Sequence, residues 1–370
     1  MGRSPSLGDH MRATAIPIGT LLSLALTACQ VPFAVNSTPS TFPTAPALAT
    51  PSVETPPPAS PTASLANVGF GISLLAQWSP AGFLTAEWAP DSGRLLYSAT
   101  DVFGDGDSTS LVDVRSGTDQ WRRSDSAAEF AFSPDGTVLA AADGQLRFLD
   151  AASGEVLSFG YETNGETRMA YLPDGTLIVG MTWLFSEDAA STEIGIWNVA
   201  TRDLDKVTRI DGYLGGVAVD RGGNRLLLSL SQLPGAEPQK VALWDPTAMV
   251  ELCSVAGENG AFTPSGQTFV ATHLDLLTVF EANRCDTTRI ISSDGSIGSV
   301  AFAPDGHTVV LAGSPSGHLW FYDTVTGALL DDVTLQDDRP IDALAFSPDG
   351  KYLLVLAPAM VSVWEVGSRN

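Results

Sequence analysis

Ala131-Phe132-Ser133-Pro134-Asp135-Gly136 returns as Ala301-Phe302-Ala303-Pro304-Asp305-Gly306 and again as Ala345-Phe346-Ser347-Pro348-Asp349-Gly350. Looser copies keep the same order: a small residue, a large apolar one, a tight turn, then a run of aliphatics. The large residue falls at Trp88, Phe132, Tyr171, Val219, Phe262, Phe302 and Phe346, giving steps of 44, 39, 48, 43, 40 and 44 residues. The turn chemistry is explicit. Proline presets φ, aspartate can bond its own backbone, and glycine accepts positive φ.

Each repeat decomposes into short strands. Before the turn stand Ala131, Ala170, Ala218, Ala261, Ala301 and Ala345, with Glu87 the exception in the first copy. Small residues suit strands that converge on an axis, where little side-chain volume fits. After the turn, runs such as Leu226-Leu227-Leu228 and Leu353-Leu354-Val355 read as strands covered on both faces. A third strand ends at Val112-Asp113, Leu149-Asp150, Trp197-Asn198, Trp244-Asp245, Phe280-Glu281, Tyr322-Asp323 and Trp364-Glu365. A period near forty with four short strands per unit predicts an all-β fold, a seven-bladed β-propeller. Too few residues follow Trp364-Glu365 to complete the last blade. The segment Ile72-Ser73-Leu74-Leu75-Ala76-Gln77-Trp78 is therefore expected to supply its outer strand and close the ring.

Over residues 66–370 the chain resembles a WD-repeat β-propeller of the bacterial kind. Trp197, Trp244 and Trp364 keep the family's tryptophan, and Thr326-Gly327 and Ser153-Gly154 match the turn that usually follows. The departure is that no Gly-His pair precedes an inner strand; Gly306-His307 and Gly317-His318 lie elsewhere. The family's hydrogen-bonded tetrad cannot form in its usual way, so the blades are expected to lean on apolar packing. A TolB-like propeller, which also carries an aromatic-x-Pro-Asp-Gly turn, is the alternative resemblance.

Residues 1–28 read as a lipoprotein signal peptide. Arg12 precedes an apolar stretch from Ile16 to Leu26 that is too short to span a bilayer, and it ends in Leu26-Thr27-Ala28-Cys29. This resembles a bacterial lipobox, which implies cleavage before Cys29 and a lipid on its thiol. Met11 is an equally good start to Met1. Residues 29–65 form the lipidated cysteine and a tether: Gln30 to Leu65 holds nine of the 24 prolines and one charge, Glu54. Such a composition cannot bury enough apolar surface to order itself. Fully extended it would reach about 100 Å. The expected address is the bacterial cell envelope, lipid-anchored on the extracytoplasmic side, with the membrane touched through the lipid alone.

Formal charge is -23, from 42 acidic and 19 basic residues, with no Lys/Arg-rich run. An acidic surface repels phosphate backbones, so nucleic acid is not expected as a partner. Beyond Cys29, the two other cysteines, Cys253 and Cys285, lie near outer strands of consecutive repeats. They read as a disulfide or as two inert thiols, because their offsets from the preceding third strand differ. Asp101, Asp105 and Asp107 form an acidic hairpin that is a weak calcium candidate. It lacks a late bidentate Glu, and a solvated turn is the favoured reading. His273, His307 and His318 sit singly, without ligand spacing. Gly313-Ser314-Pro315-Ser316-Gly317 fails as a nucleophile elbow, since its central residue is Pro315.

No cofactor, metal or catalytic dyad is expected, and the head is expected to be monomeric. The sequence favours a protein-binding or scaffold module. The alternative is a propeller enzyme, a hydrolase or quinone-type oxidoreductase, whose catalytic residues converge from several blades. Inner strands offering alanines and one Glu favour binding. The expected contact face carries the loops that lead into each inner strand and the hairpins between second and third strands. It gathers Trp121, Arg122 and Arg123 from one lead-in loop, Tyr161 from the next, Tyr213, Arg339, and Trp183 with Phe185. Aromatic and Arg side chains are the types enriched where partners bind tightly.

Overall fold

The computed structural model describes residues 71–367, apart from 81, 101–106, 164, 187–188, 199–202, 235–238, 315–316 and 336–338. Twenty-eight strands form seven four-stranded antiparallel sheets, the blades of one propeller, and the described residues contain no helix. The signal peptide, Cys29 and the tether lie outside the described residues.

The innermost strands are Phe83–Trp88, Glu129–Phe132, Glu166–Tyr171, Tyr213–Val219, Asn259–Phe262, Ser296–Phe302 and Ala343–Phe346. Each runs into its Pro-Asp-Gly-like turn and pairs with the aliphatic strand beyond it, as Ala131 does with Ala140 and Phe132 with Leu139. In blade two, Gly136 takes φ 69°, Thr137 N donates to Asp135 Oδ1 at 3.1 Å, and Val138 N donates to Ser133 Oγ at 2.9 Å. These bonds occupy polar groups that the reversal would otherwise strand. The acid that ends a third strand braces its own turn in the same manner, since Asp150 Oδ1 accepts from Ala152 N and Ser153 N.

A single four-stranded sheet cannot bury both of its faces alone, so a blade draws its stability from its neighbours. Leu353 and Val355 of blade seven join Val310, Ala312 and Phe321 of blade six in one cluster. Leu354 and Leu356, pointing the other way, join Trp88, Leu95 and Tyr97 of blade one. Period-two alternation thus serves two cores at once, and each fully buried Leu, Val or Phe contributes about 1.5–3 kcal/mol. Hydroxyls add polar stitches between blades. Ser98 Oγ accepts from Ala127 N, Thr182 Oγ1 from Leu214 N, Ser229 Oγ from Gly260 N and Ser299 Oγ from Leu344 N, at 3.0–3.3 Å. The Trp244 indole N–H is buried without a hydrogen-bond partner, so that ring contributes through apolar packing.

Blade seven is built from Ala343–Phe346, Tyr352–Ala357, Met360–Val366 and, outermost, Ile72–Trp78. Ile72 pairs with Val366 and Trp78 with Val361, and both N-terminal side chains are buried. Between blades seven and one, the Trp88 indole donates to Ala345 O at 3.1 Å and stacks on Tyr352. Cys253 and Cys285 are joined by a disulfide, with Cα atoms 6.3 Å apart. The unequal offsets are absorbed by the loop after the third strand of blade five, where Cys285 takes φ 58°.

Candidate functional site

The face that carries the lead-in loops is less basic than its sequence suggests. Trp121 and Arg123 are not loop residues. They belong to the outer strand Asp119–Arg123 of blade one, and both are buried. The Trp121 indole donates to Ala151 O at 3.1 Å. Its ring lies over Gly154 so closely that a Cβ there would meet it at 2.7 Å. Arg123 donates to Gly154 O at 2.7 Å and clasps Asp125 through Nε and Nη2, at 2.8 and 2.9 Å. Asp125 also holds Arg147 at 2.5 Å. Burial pushes the Asp125 carboxyl up, but the two guanidinium groups outweigh it and hold the acid below the usual range. The local reversal of charge read at Arg122-Arg123 is therefore half cancelled inside the fold.

Arg122 alternates to the other side of that strand. It is exposed and donates to Ser108 Oγ at 3.2 Å. Arg339 is exposed as well and donates to Pro358 O at 3.0 Å. Tyr161 lies on the strand Val156–Glu162 rather than in a loop. Tyr213 begins the inner strand of blade four and is buried, so it is an axial residue and not a surface anchor. Trp183 is partly buried on the strand Leu177–Ser186, which also contains Phe185. Of the acidic hairpin, Asp101 and Asp105 lie outside the described residues, whereas Asp107 accepts from Ser126 Oγ at 2.7 Å. Among the described residues no three His, Cys, Asp or Glu side chains come together as a metal site.

What the sequence reading missed is a polar constellation on the inner strands of blades one to four. Tyr213 Oη donates to Glu166 Oε2 at 2.5 Å. Arg168 spans the gap between blades, donating through Nε to Gly215 O at 2.9 Å, with Nη1 3.7 Å from Glu129 Oε2. Glu129 and Arg168 stand two residues before Ala131 and Ala170. The same period-two face that holds the alanines therefore carries charge one step further up. Reading only the residue next to the large apolar one hid it.

Glu87 is the remaining member. Phe132 N, on the inner edge of the next blade, donates to Glu87 Oε1 at 3.3 Å, while Oε2 is sealed from solvent without a hydrogen-bond partner. Burial pushes this carboxyl up to about 8; the Phe132 N–H opposes that and the nearby Glu129 adds to it. Asp342, which leads into the inner strand of blade seven, is likewise raised by burial, to about 6.

Two recesses open on the opposite face, where the Pro-Asp-Gly turns lie. One of about 310 Å³ lies at the turn end of the inner strands of blades one to four and includes Glu87 in its wall. A second, of about 400 Å³, separates blades five and six beside Thr263, Thr268 and Phe302. Thr263 Oγ1 is already engaged with the Thr268 backbone at 3.0 Å, so that cleft is a packing gap beside small side chains rather than an array of open donors.

No family model matches the chain, and no curated protein matches it. Among solved structures, the β-propeller domain of Myceliophteria thermophila Cps50 (Swd1) is similar in fold. It aligns at a TM-score of 0.61 and 11% identity, over 80% of this chain and 99% of that one.

Proposed function

We propose that this protein is a protein-binding propeller held at the extracytoplasmic surface of a bacterial membrane by a lipid on Cys29. In this reading the cleaved chain begins at Cys29, and the tether Gln30–Leu65 runs into the closing strand and holds the ring clear of the bilayer. The observation that carries the binding role is the exposure of two arginines on the lead-in face, beside polar groups that engage one another. Arg123 and Arg147 both engage Asp125 and Tyr213 engages Glu166, while Arg122, held to Ser108, and Arg339, held to the Pro358 carbonyl, present exposed cationic side chains on a rigid acidic ring. Rigid scaffolds that present exposed Arg suit acidic protein surfaces.

Two experiments test this. Wild-type protein is expected to sediment with membranes and to incorporate a palmitate analogue, while Cys29→Ser protein does neither. Sedimentation and labelling that survive the substitution would overturn the anchor. An Arg122→Glu, Arg339→Glu protein with unchanged circular dichroism is expected to recover crosslinked envelope partners at least about tenfold less well, in line with the loss of two interface charges. Undiminished recovery would place binding elsewhere on the ring. A second reading, a propeller enzyme, is favoured by one observation: Glu87 is an acid kept neutral beside Glu129, the arrangement expected of a general acid. Loss of hydrolase activity on a broad ester and glycoside panel in Glu87→Gln protein would support it.

A further inference from the structure

The axial recess on the turn face breaks the sevenfold pattern in one way. Six inner strands place alanine before the large apolar residue, and only blade one places Glu87 there. A carboxyl at this position is costly, because Oε2 is buried with nothing to bond and the group is driven toward its neutral form. The fold does not need it, since alanine closes the same position six times over. A second carboxyl, Asp220 of the blade-four turn, lines the same recess. Its Oδ1 is occupied by Asn224 N and Arg225 N. Phe132 and Tyr171 supply aromatic walls, Pro134 and Pro173 apolar ones, and no Lys, Arg or His is among the described residues lining it.

Two acids, two aromatic rings and no cation in one cavity describe the complement of a positively charged organic group. Carboxylate oxygen gives the Coulombic attraction, ring faces give cation–π attraction, and proline surfaces accommodate methyl or methylene groups. We infer that this recess binds a small free organic ammonium ion, held by Glu87 and Asp220 against the rings of Phe132 and Tyr171. A volume of about 310 Å³ fits a molecule of that size, at the small end of ligand cavities. The chain's charge of -23 raises the local concentration of cations at the mouth. The charged groups facing Glu87 are Glu129, which carries Arg168 on its far side, and Asp220. Burial and the Glu129 carboxylate oppose ionisation of Glu87 until a cation arrives, so binding releases a proton. The site lies at the end of the axis opposite Arg122 and Arg339, and it is independent of partner binding on that face.

The test is isothermal titration of the full chain, solubilised in detergent, with tetramethylammonium chloride as probe and sodium chloride as control. Saturable binding is expected at about 1 mM or tighter, a level that one desolvated charge pair and two ring contacts can supply. Glu87→Gln is expected to weaken it by at least about tenfold, and Tyr171→Leu by about threefold or more. Proton release is expected to appear as a dependence of the heat on buffer ionisation enthalpy, present in wild type and absent in Glu87→Gln. Arg339→Glu protein should bind as wild type does. Circular dichroism identifies any variant that fails to fold, and Asp220→Asn, which keeps the turn's Oδ1 acceptor, then serves as the second acidic variant. No saturable heat, equal affinity for sodium, or unchanged affinity in folded Glu87→Gln and Asp220→Asn proteins would overturn the assignment.

Discussion

Glu87→Gln protein is expected to match wild type in stability near pH 4 and to exceed it by about 3 kcal/mol near pH 9, with the advantage growing between those limits. In the unfolded chain the Glu87 carboxyl titrates at its ordinary 4.5, whereas in the ring it is held up to about 8, first by desolvation and further by Glu129. Between those values the native state binds more protons than the unfolded state, so wild-type stability falls as pH rises, and it levels off above the folded value. The full shift would correspond to about 5 kcal/mol at 1.36 kcal/mol per unit. The side chain is partly open at the recess, and solvent there reduces the expected gain. Glutamine keeps the acceptor for Phe132 N and cannot ionise, so the slope belonging to this group vanishes. Chemical denaturation across the pH range is the measurement, and parallel curves for the two proteins would show that the carboxyl is solvated in the native state. Asp125 acts in the opposite sense. Its depressed value contributes stability that is present above the ordinary aspartate range and is lost as pH falls. Because Asp125 is present in both proteins, it cancels in the comparison.

Removing the first strand should do more damage than any point substitution. A chain beginning at Ala66 is expected to fold, and one beginning at Ala81 to aggregate or to melt at a sharply lower temperature. The shorter chain loses Ile72 and Trp78, both buried, together with the ladder from Ile72–Val366 to Trp78–Val361. Emptying an Ile site costs about 2–5 kcal/mol and a Trp site about 3–5 kcal/mol. The sum approaches the whole stability of an ordinary domain, about 5–15 kcal/mol. The strand Met360–Val366 would also be left as an unpaired edge, which invites association with other chains. Thermal melting and size-exclusion chromatography compare the two, and equal midpoints with equal elution would show that the ring closes without this strand.

Local chemistry made the architecture legible. A Pro-Asp-Gly turn is built from the φ preference of three adjacent residues, as Gly136 at φ 69° and Asp135 on Thr137 N illustrate, so it reads the same in sequence and in space. The forty-residue period is the length of four such strands and their turns, and it needs no knowledge of what touches what. Aliphatic runs were readable for a similar reason, since a blade covered on both sides asks for apolar residues at every position.

The surface was not legible in the same way, because whether a side chain is available depends on a partner distant in sequence. Arg123 looked like a surface cation beside Arg122, but strand alternation turns it inward onto Asp125 and the Gly154 carbonyl. Trp121 looked like a binding anchor, but its seat over Gly154 exists only once blades one and two are side by side. From one inner strand, Glu166 meets Tyr213 of the next blade and Arg168 reaches Glu129 of the preceding one, contacts that no local rule contains. Glu87 stood out in the sequence as the one break in a row of alanines. Only the packed ring removed its solvent, set Glu129 beside it and opened a recess at its edge. Turns and periods are decided by neighbours along the chain, so the sequence alone determined the seven-bladed plan. Burial, charge pairing and cavities are decided by neighbours in space, so tertiary structure alone decided which of these residues remain available for chemistry.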